Sequence, residues 1–129
     1  MRRLSLITLT LSVLLILISA CAGGTDQAAT AVEGYLTALV GKDSDTISAL
    51  SCADWEMQAI LELDSFQAVE TRLEGLACTS VLEDDGTSSV TCTGKIYATY
   101  NGEDQEFDLS LRTSAVIKEG GEYLVCGYR

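Results

Sequence analysis

From residue 26 onward the apolar positions fall first at helical spacing and then in alternation. Ala28, Val32, Tyr35, Leu36, Leu39 and Val40 recur in steps of three and four, which gives a helix one buried stripe. Asp26 stands where an N-cap belongs and Gly41 where a helix stops. Ser44 opens a shorter helix carrying Ile47 and Leu50. Ser51, followed three residues later by Asp54, resembles a capping box in which Asp replaces the usual Glu or Gln. It predicts a third helix that buries Trp55, Ala59, Ile60 and Leu63. Between Asp64 and Gly75 two periods compete. Phe66, Val69, Leu73 and Leu76 fit a helix, while Val69, Thr71 and Leu73 alternate with charges as in a strand. This predicts a helical turn leading into an edge strand.

Beyond Gly75 the alternation is clearer, with strands predicted near 76–83, 88–100, 105–117 and 122–128. Asp85-Gly86, Asn101-Gly102 and Gly120-Gly121 separate them, and all three dipeptides favour tight primed turns. A two-residue turn at Asn101-Gly102 sets Ile96 opposite Phe107 and Cys92 opposite Leu111. The same geometry at Gly120-Gly121 sets Ile117 opposite Leu124 and Ala115 opposite Cys126. Both hairpins then turn one set inward: Val90, Cys92, Ile96, Phe107, Leu109, Leu111, Ala115, Ile117, Leu124 and Cys126. The predicted fold class is α+β, with N-terminal helices packed on a curved antiparallel meander.

Residues 1–20 have a different character. Arg2 and Arg3 precede the uncharged run Leu4 to Ile18, whose 15 residues fall short of the roughly 20 that a membrane-spanning helix needs. Such a run, ending in small residues, is the apolar core of a secretory signal peptide. Ile18-Ser19-Ala20-Cys21 resembles the lipobox of bacterial lipoproteins, in which a thiol at the membrane surface takes a diacylglycerol and becomes the new N-terminus. A plain signal peptide with an incidental cysteine, or an uncleaved anchor helix, is the competing interpretation. The expected organisation is a signal peptide over 1–20, a lipidated tether over 21–25 and a single domain over 26–129. Ala22-Gly23-Gly24-Thr25 has the small, flexible character of a tether. The expected location is the extracytoplasmic face of a cell membrane or envelope, with lipid on Cys21 as the membrane contact.

Charge narrows the function. Eight basic and 19 acidic residues give a formal charge of −11, which loss of Arg2 and Arg3 would take to −13. Such a surface repels phosphate backbones, so no nucleic-acid partner is expected. The chain has no histidine, which removes Ser–His and Cys–His nucleophile pairs and His-ligated metals. It has no proline either, so slow X-Pro folding steps are absent.

Besides Cys21 the cysteines are Cys52, Cys78, Cys92 and Cys126, an even count that in a small exported domain predicts two disulfides. Zinc is the rival, but there is no CxxC pair. Cys92 and Cys126 would share a face with a strand between them, about 9–10 Å apart at sheet spacing and beyond disulfide reach. Cys78 and Cys92 lie seven residues either side of Asp85, so a five-residue loop would make them direct neighbours. Cys126 faces the helices and Cys52 sits at a helix junction. The expected pairs are Cys78–Cys92 and Cys52–Cys126. One conflict stays open: a strict two-residue turn at Asp85-Gly86 would oppose Val81 to Val90 and misplace Cys78 by one step, unless a bulge intervenes.

Two acidic stretches could attract calcium, Glu83-Asp84-Asp85-Gly86 and Asp43-Ser44-Asp45. The second lacks the EF-hand glycine at position six, which is Ser48, and the glutamate at position twelve, which is Asp54. A hydrophilic turn and a helix cap explain both more simply, and no metal is expected. Asp54 and Glu56 flank Trp55, but carboxylates in a first helical turn answer the helix dipole and are not read as catalytic.

Tyr35-Leu36 with Leu39, Leu50-Ser51-Cys52-Ala53-Asp54-Trp55-Glu56, Val90-Thr91-Cys92-Thr93-Gly94 and Cys126-Gly127-Tyr128-Arg129 together carry a family resemblance. The chain resembles the nuclear-transport-factor-2-like, or cystatin-like, cone over most of residues 26–129. More narrowly it resembles small bacterial lipoproteins of that kind, a group without an assigned activity. Enzymes of this fold place an acid, a tyrosine or a histidine in a conical pocket between helices and sheet. The resemblance implies that Tyr35, Trp55, Phe107 and Tyr128 line such a cone, as pocket wall or as core. No catalytic residue and no cofactor is expected. The expected role is a non-enzymatic domain binding a protein, an envelope component or a small ligand, with a pocket-type enzyme or a structural spacer as the alternatives.

Overall fold

The computed structural model describes residues 26–129; the signal segment, Cys21 and the tether lie outside the described residues. Helix α1 spans Gln27–Gly41. Asp26 caps it as expected, its Oδ1 accepting from the Ala29 N–H at 3.0 Å, and the stripe from Ala28 to Leu39 is buried. Gly41 is the last helical residue rather than the stop. The left-handed cap falls on Lys42 (φ 60°), because the Asp43 N–H must turn back to the Ala38 carbonyl, 2.9 Å away. Helix α2 (Ser44–Leu50) is capped by Asp43, whose Oδ1 accepts from the Thr46 N–H at 3.1 Å. It buries Ile47 completely.

Helix α3 spans Ala53–Phe66 and buries Ala59, Leu63 and Phe66. The expected capping box does not form: the N-cap is Cys52, without a side-chain hydrogen bond. Ser51 is instead an extended residue bridged to Val125, and its hydroxyl donates to the Ile47 carbonyl at 2.7 Å. The α2–α3 junction is thus tied to the sheet, which is why Ser51 is not free to cap.

Five strands follow: β1 (Glu70–Leu82), β2 (Ser88–Tyr100), β3 (Glu103–Asp108), β4 (Thr113–Glu119) and β5 (Glu122–Tyr128). The order is β1-β2-β4-β5, and β3 pairs with the far half of β2. The helical turn leading into an edge strand is present, although β1 starts at Glu70 rather than near 76. A bulge at Gly75 interrupts β1, where Gly94 of the neighbouring strand has φ 107°. A Cβ on Gly94 would meet the Glu74 carbonyl oxygen at 2.6 Å, so this crossing requires glycine.

The Asn101-Gly102 turn is tight as predicted and sets Ile96 opposite Phe107. Asp85-Gly86 is not a two-residue turn. Leu82 pairs with Ser88, leaving the loop Glu83–Thr87 closed by Glu83 N–H to Thr87 carbonyl at 2.8 Å. That five-residue loop places Cys78 directly opposite Cys92, which resolves the register conflict without a bulge in the loop.

The predicted strand 105–117 is broken by a 3₁₀ turn at Leu109–Leu111. Lys95 faces Asp108 and Thr91 faces Thr113, so four steps on β2 match five on the returning chain. One extra residue reverses the alternation downstream. Leu111 therefore points out, 82% exposed, and Val116 and Val125 fill the core in place of Ala115, Ile117, Leu124 and Cys126. Cys92 does not face Leu111. Ile117 does face Leu124, but a second bulge between Ser114 and Val116 removes the Ala115–Cys126 pairing. Phe107 is only half-buried. The core between the helices and the sheet contains Val32, Leu39, Ile47, Leu63, Val90, Ile96 and Leu109.

Candidate functional site

Two seams join the helices to the sheet. Along the first, α1 lies beside edge strand β1. Asp26 Oδ2 accepts from the Ser80 N–H at 2.9 Å and its Oδ1 from the Ser80 hydroxyl at 2.6 Å. Glu33 Oε1 accepts from the Cys78 N–H at 2.9 Å. At the far end of α1, Lys42 Nζ donates to the Val69 carbonyl at 2.6 Å. Hydrogen bonds to its carboxylate, the Ser80 hydroxyl first, hold Asp26 below the usual aspartate range. Cys78 and Cys92 form a disulfide across β1 and β2, with Cα atoms 4.1 Å apart.

The second seam runs between α3 and β5. Cys52 and Cys126 form the other disulfide, with Cα atoms 5.3 Å apart. Beside it lies a polar and aromatic cluster between α1, α3 and the end of β5. Glu62 Oε1 accepts from Arg112 at 3.0 Å and from the Tyr128 hydroxyl at 3.2 Å. Its Oε2 accepts from the Tyr35 hydroxyl at 3.3 Å. Trp55 Nε1 donates to the Tyr35 oxygen at 3.2 Å. The Trp55 and Tyr128 rings meet edge to face at 5.4 Å, and the Arg112 guanidinium stacks 4.2 Å above Tyr128. Burial, followed by the influence of Glu62, raises the Tyr35 phenol above the ordinary tyrosine range, although the Trp55 bond opposes this. Tyr128 is raised by burial and by Glu62, with Arg112 opposing.

Of the four aromatics assigned to the cone, Tyr35, Trp55 and Tyr128 thus meet. Phe107 does not: it packs edge to face on Phe66 at 5.8 Å, at the far end of α3. Glu62 and Arg112 were not legible as site residues. Glu62 could have been found, because it lies seven residues after Trp55 and so on the same helical face. Arg112 depends on the 3₁₀ turn that no alternation pattern anticipates. Asp54 and Glu56 are exposed and stand apart from the cluster. Asp43 and Asp85 serve as a helix cap and a turn, Asp85 accepting from the Thr87 N–H at 2.9 Å. No group of three or more acidic or cysteine side chains among the described residues could hold a metal.

Open grooves lie at the other end of the molecule, where α1 begins. One of about 470 Å³ is lined by Asp26, Ser80, Leu82, Lys118 and Tyr123. A second, of about 420 Å³, runs between α1, the end of α2 and β5 past Gly34, Leu50, Tyr123 and Leu124. No helix among the described residues is long and apolar enough to cross a membrane.

Solved structures carry the same arrangement of helices and sheet. Aln2 from a Streptomyces species superposes with a TM-score of 0.56 at 14% identity, covering 79% of this chain and 85% of its own. ActVI-ORFA from Streptomyces coelicolor gives 0.58 at 12% identity, covering 82% and 95%. This is a nuclear-transport-factor-2-like fold. A SEC-C motif containing protein from Rhodopseudomonas palustris reaches 0.53 at 15% identity over 80% of each chain. At these identities the likeness is one of fold. No protein-family profile and no curated protein matches the sequence. Within the nuclear-transport-factor-2-like cone, the Glu62 cluster lies where the first and third helices face the end of the sheet.

Proposed function

We propose that this protein is a lipid-anchored extracytoplasmic domain that acts by binding and performs no catalysis. One observation carries the non-enzymatic half: Glu62, the carboxylate between α1, α3 and β5, is bonded to Arg112 and two tyrosines. A general base must stand within hydrogen-bond reach of the proton it takes from a substrate. Here both carboxylate oxygens accept from the protein's own side chains, and the Trp55 and Tyr128 rings pack against each other beside them. All fully buried side-chain nitrogen and oxygen atoms among the described residues have partners. The two disulfides suit an oxidising compartment, and the segment ending at Cys21 supplies the anchor.

A pocket-type enzyme of the same fold is the second reading, favoured by the Tyr35 and Tyr128 hydroxyls that converge on one carboxylate. It requires Glu62 to leave Arg112 and open the cone. Intact mass of the membrane-extracted protein, with peptide mapping, tests the anchored reading. Diacylglycerol on an N-terminal Cys21 is expected, and an intact residue 1–20 segment overturns it. A crystal structure with the Glu62–Arg112 pair closed supports binding without catalysis; an open, water-filled cone with Glu62 free turns the assignment toward the enzyme.

A further inference from the structure

The inner face of the sheet runs on past the start of α1. Asp26 and Ser80 mark where the helix begins to cover it. Beyond them four strands present one continuous row. Leu82 pairs with Ser88 across β1 and β2, and Ser88 pairs with Val116 on β4. Two residues along β4, and so on the same face, Lys118 pairs with Tyr123 on β5. Leu82 shares the face of Ser80 yet is 73% exposed, because α1 begins short of it. This uncovered end of the sheet forms the groove of about 470 Å³.

Ser88 is the unusual member of the row. It is only 7% exposed, yet its hydroxyl makes no hydrogen bond among the described residues. Fully buried side-chain oxygens there all have partners, so this one opens onto the groove that Ser88 lines. A hydroxyl held in a groove without a partner leaves a hydrogen bond for whatever enters. Its neighbours decide the chemistry. Lys118 has no ion pair among the described residues, and its Nζ stands 5.3 Å from the Tyr123 ring. The carboxylate lining the groove, Asp26, is already satisfied. Its oxygens accept from the Ala29 and Ser80 N–H groups and from the Ser80 hydroxyl. What remains unspent is an ammonium, which can only donate, and a hydroxyl in the same row. Ala28, Leu82 and the Tyr123 ring supply apolar walls. Such a set matches a ligand with one anionic acceptor head and a short apolar body. The chain's overall negative charge acts at longer range and is screened within about 8 Å at physiological salt, so the nearest groups decide.

We propose that this groove binds a small monocarboxylate, its carboxylate on Lys118 and Ser88 and its apolar part against Leu82 and Tyr123. This rests on the binding role proposed above and names the ligand class. The test titrates the full-length protein in zwitterionic nanodiscs with hydrocinnamate, a phenyl ring on a short chain ending in carboxylate, followed by NMR. Saturable shifts are expected at Leu82, Ser88, Lys118 and Tyr123. Hydrocinnamyl alcohol, which lacks the charge, should bind about tenfold more weakly. Phenylalanine, whose added ammonium meets no free acceptor, should bind no more tightly than hydrocinnamate. Lys118→Gln should weaken hydrocinnamate about tenfold and Ser88→Ala about threefold. Lys95→Gln, which removes an equal charge from the opposite face of β2, should leave binding unchanged. Absence of saturable binding, or shifts confined to the second groove past Gly34 and Leu50, overturns the proposal. So does an alcohol that binds as tightly as the acid, tighter binding of phenylalanine, or binding indifferent to Lys118→Gln. Far-ultraviolet circular dichroism confirms that each variant is folded, and Ser88→Ala removes no internal hydrogen bond. The Cys21 mass reads the anchor separately, and the Glu62–Arg112 pair reads the non-enzymatic half. A lipidated chain with that pair closed that binds no carboxylate refutes the ligand class alone, whereas an unlipidated chain that binds it refutes the anchor alone.

Discussion

The two seams use the same materials to different ends. Each has one disulfide and one set of hydrogen-bonded polar groups. On the α1–β1 side, carboxylates of the helix accept from backbone N–H groups of the strand, and the disulfide closes a sequence separation of only 14 residues. On the α3–β5 side, side chains bond side chains, and the disulfide spans 74 residues. The first seam finishes a sheet edge locally. The second brings the last strand to the middle of the chain and joins it to α1 and α3. A polar group that answers the backbone is satisfied wherever the strand runs, whereas the Glu62 network exists only if four separate segments arrive together.

Breaking the long disulfide should show this difference most strongly. Replacing Cys52 and Cys126 by Ser is expected to cost about 4 kcal/mol in the chain-entropy account, against about 3 kcal/mol for Cys78 and Cys92; urea denaturation measures both, and equal losses would remove the distinction. Glu62→Ala should cost about 2 kcal/mol, because Arg112 and two hydroxyls lose their acceptor in a half-buried setting. Thermal unfolding reads this directly, and Arg112→Ala on the same background should add little. Asp26→Ala should cost about 1 kcal/mol, the worth of an exposed N-cap, and should raise amide exchange at Ser80 without disturbing the cone.

The smallest effects separate the seams by pH. Asp26 is held below its ordinary range, so its contribution is complete above the unfolded value and is lost as pH falls through the folded one, below about pH 4. Tyr35 and Tyr128 are raised, so theirs is complete below about pH 10 and is lost as pH rises through the folded values. Amide exchange should therefore loosen β1 first in acid and β5 first in alkali. Loosening of the same strand at both extremes would mean that the seams are not independent.

Local chemistry was legible and non-local parity was not. Asp26, the three helical stripes, the Asn101-Gly102 turn and the α+β class follow from spacing within a dozen residues. The inner faces of β4 and β5 depend on one extra residue at Leu109–Leu111, which no short window reveals. Past that point each side chain on the alternating pattern is assigned to the wrong face, and Leu111 is the clearest casualty. The Glu62 cluster was half visible for the same reason. Tyr35, Trp55 and Tyr128 could be named as aromatics facing inward, but Arg112 reaches Glu62 only because the chain turns where alternation predicts a strand.

The Asp26 and Glu33 bonds to β1 also bear on how copies of this chain behave when crowded. An unpaired strand edge offers its N–H groups to any extended peptide that drifts alongside. Here two of those donors, on Ser80 and Cys78, are already occupied by the protein's own helix. Neighbouring molecules packed densely side by side on a surface would find little there to zip onto. The same two carboxylates that hold α1 in place would keep this edge from templating fibrils, and their loss would be felt in shelf life and turbidity as well as in melting temperature.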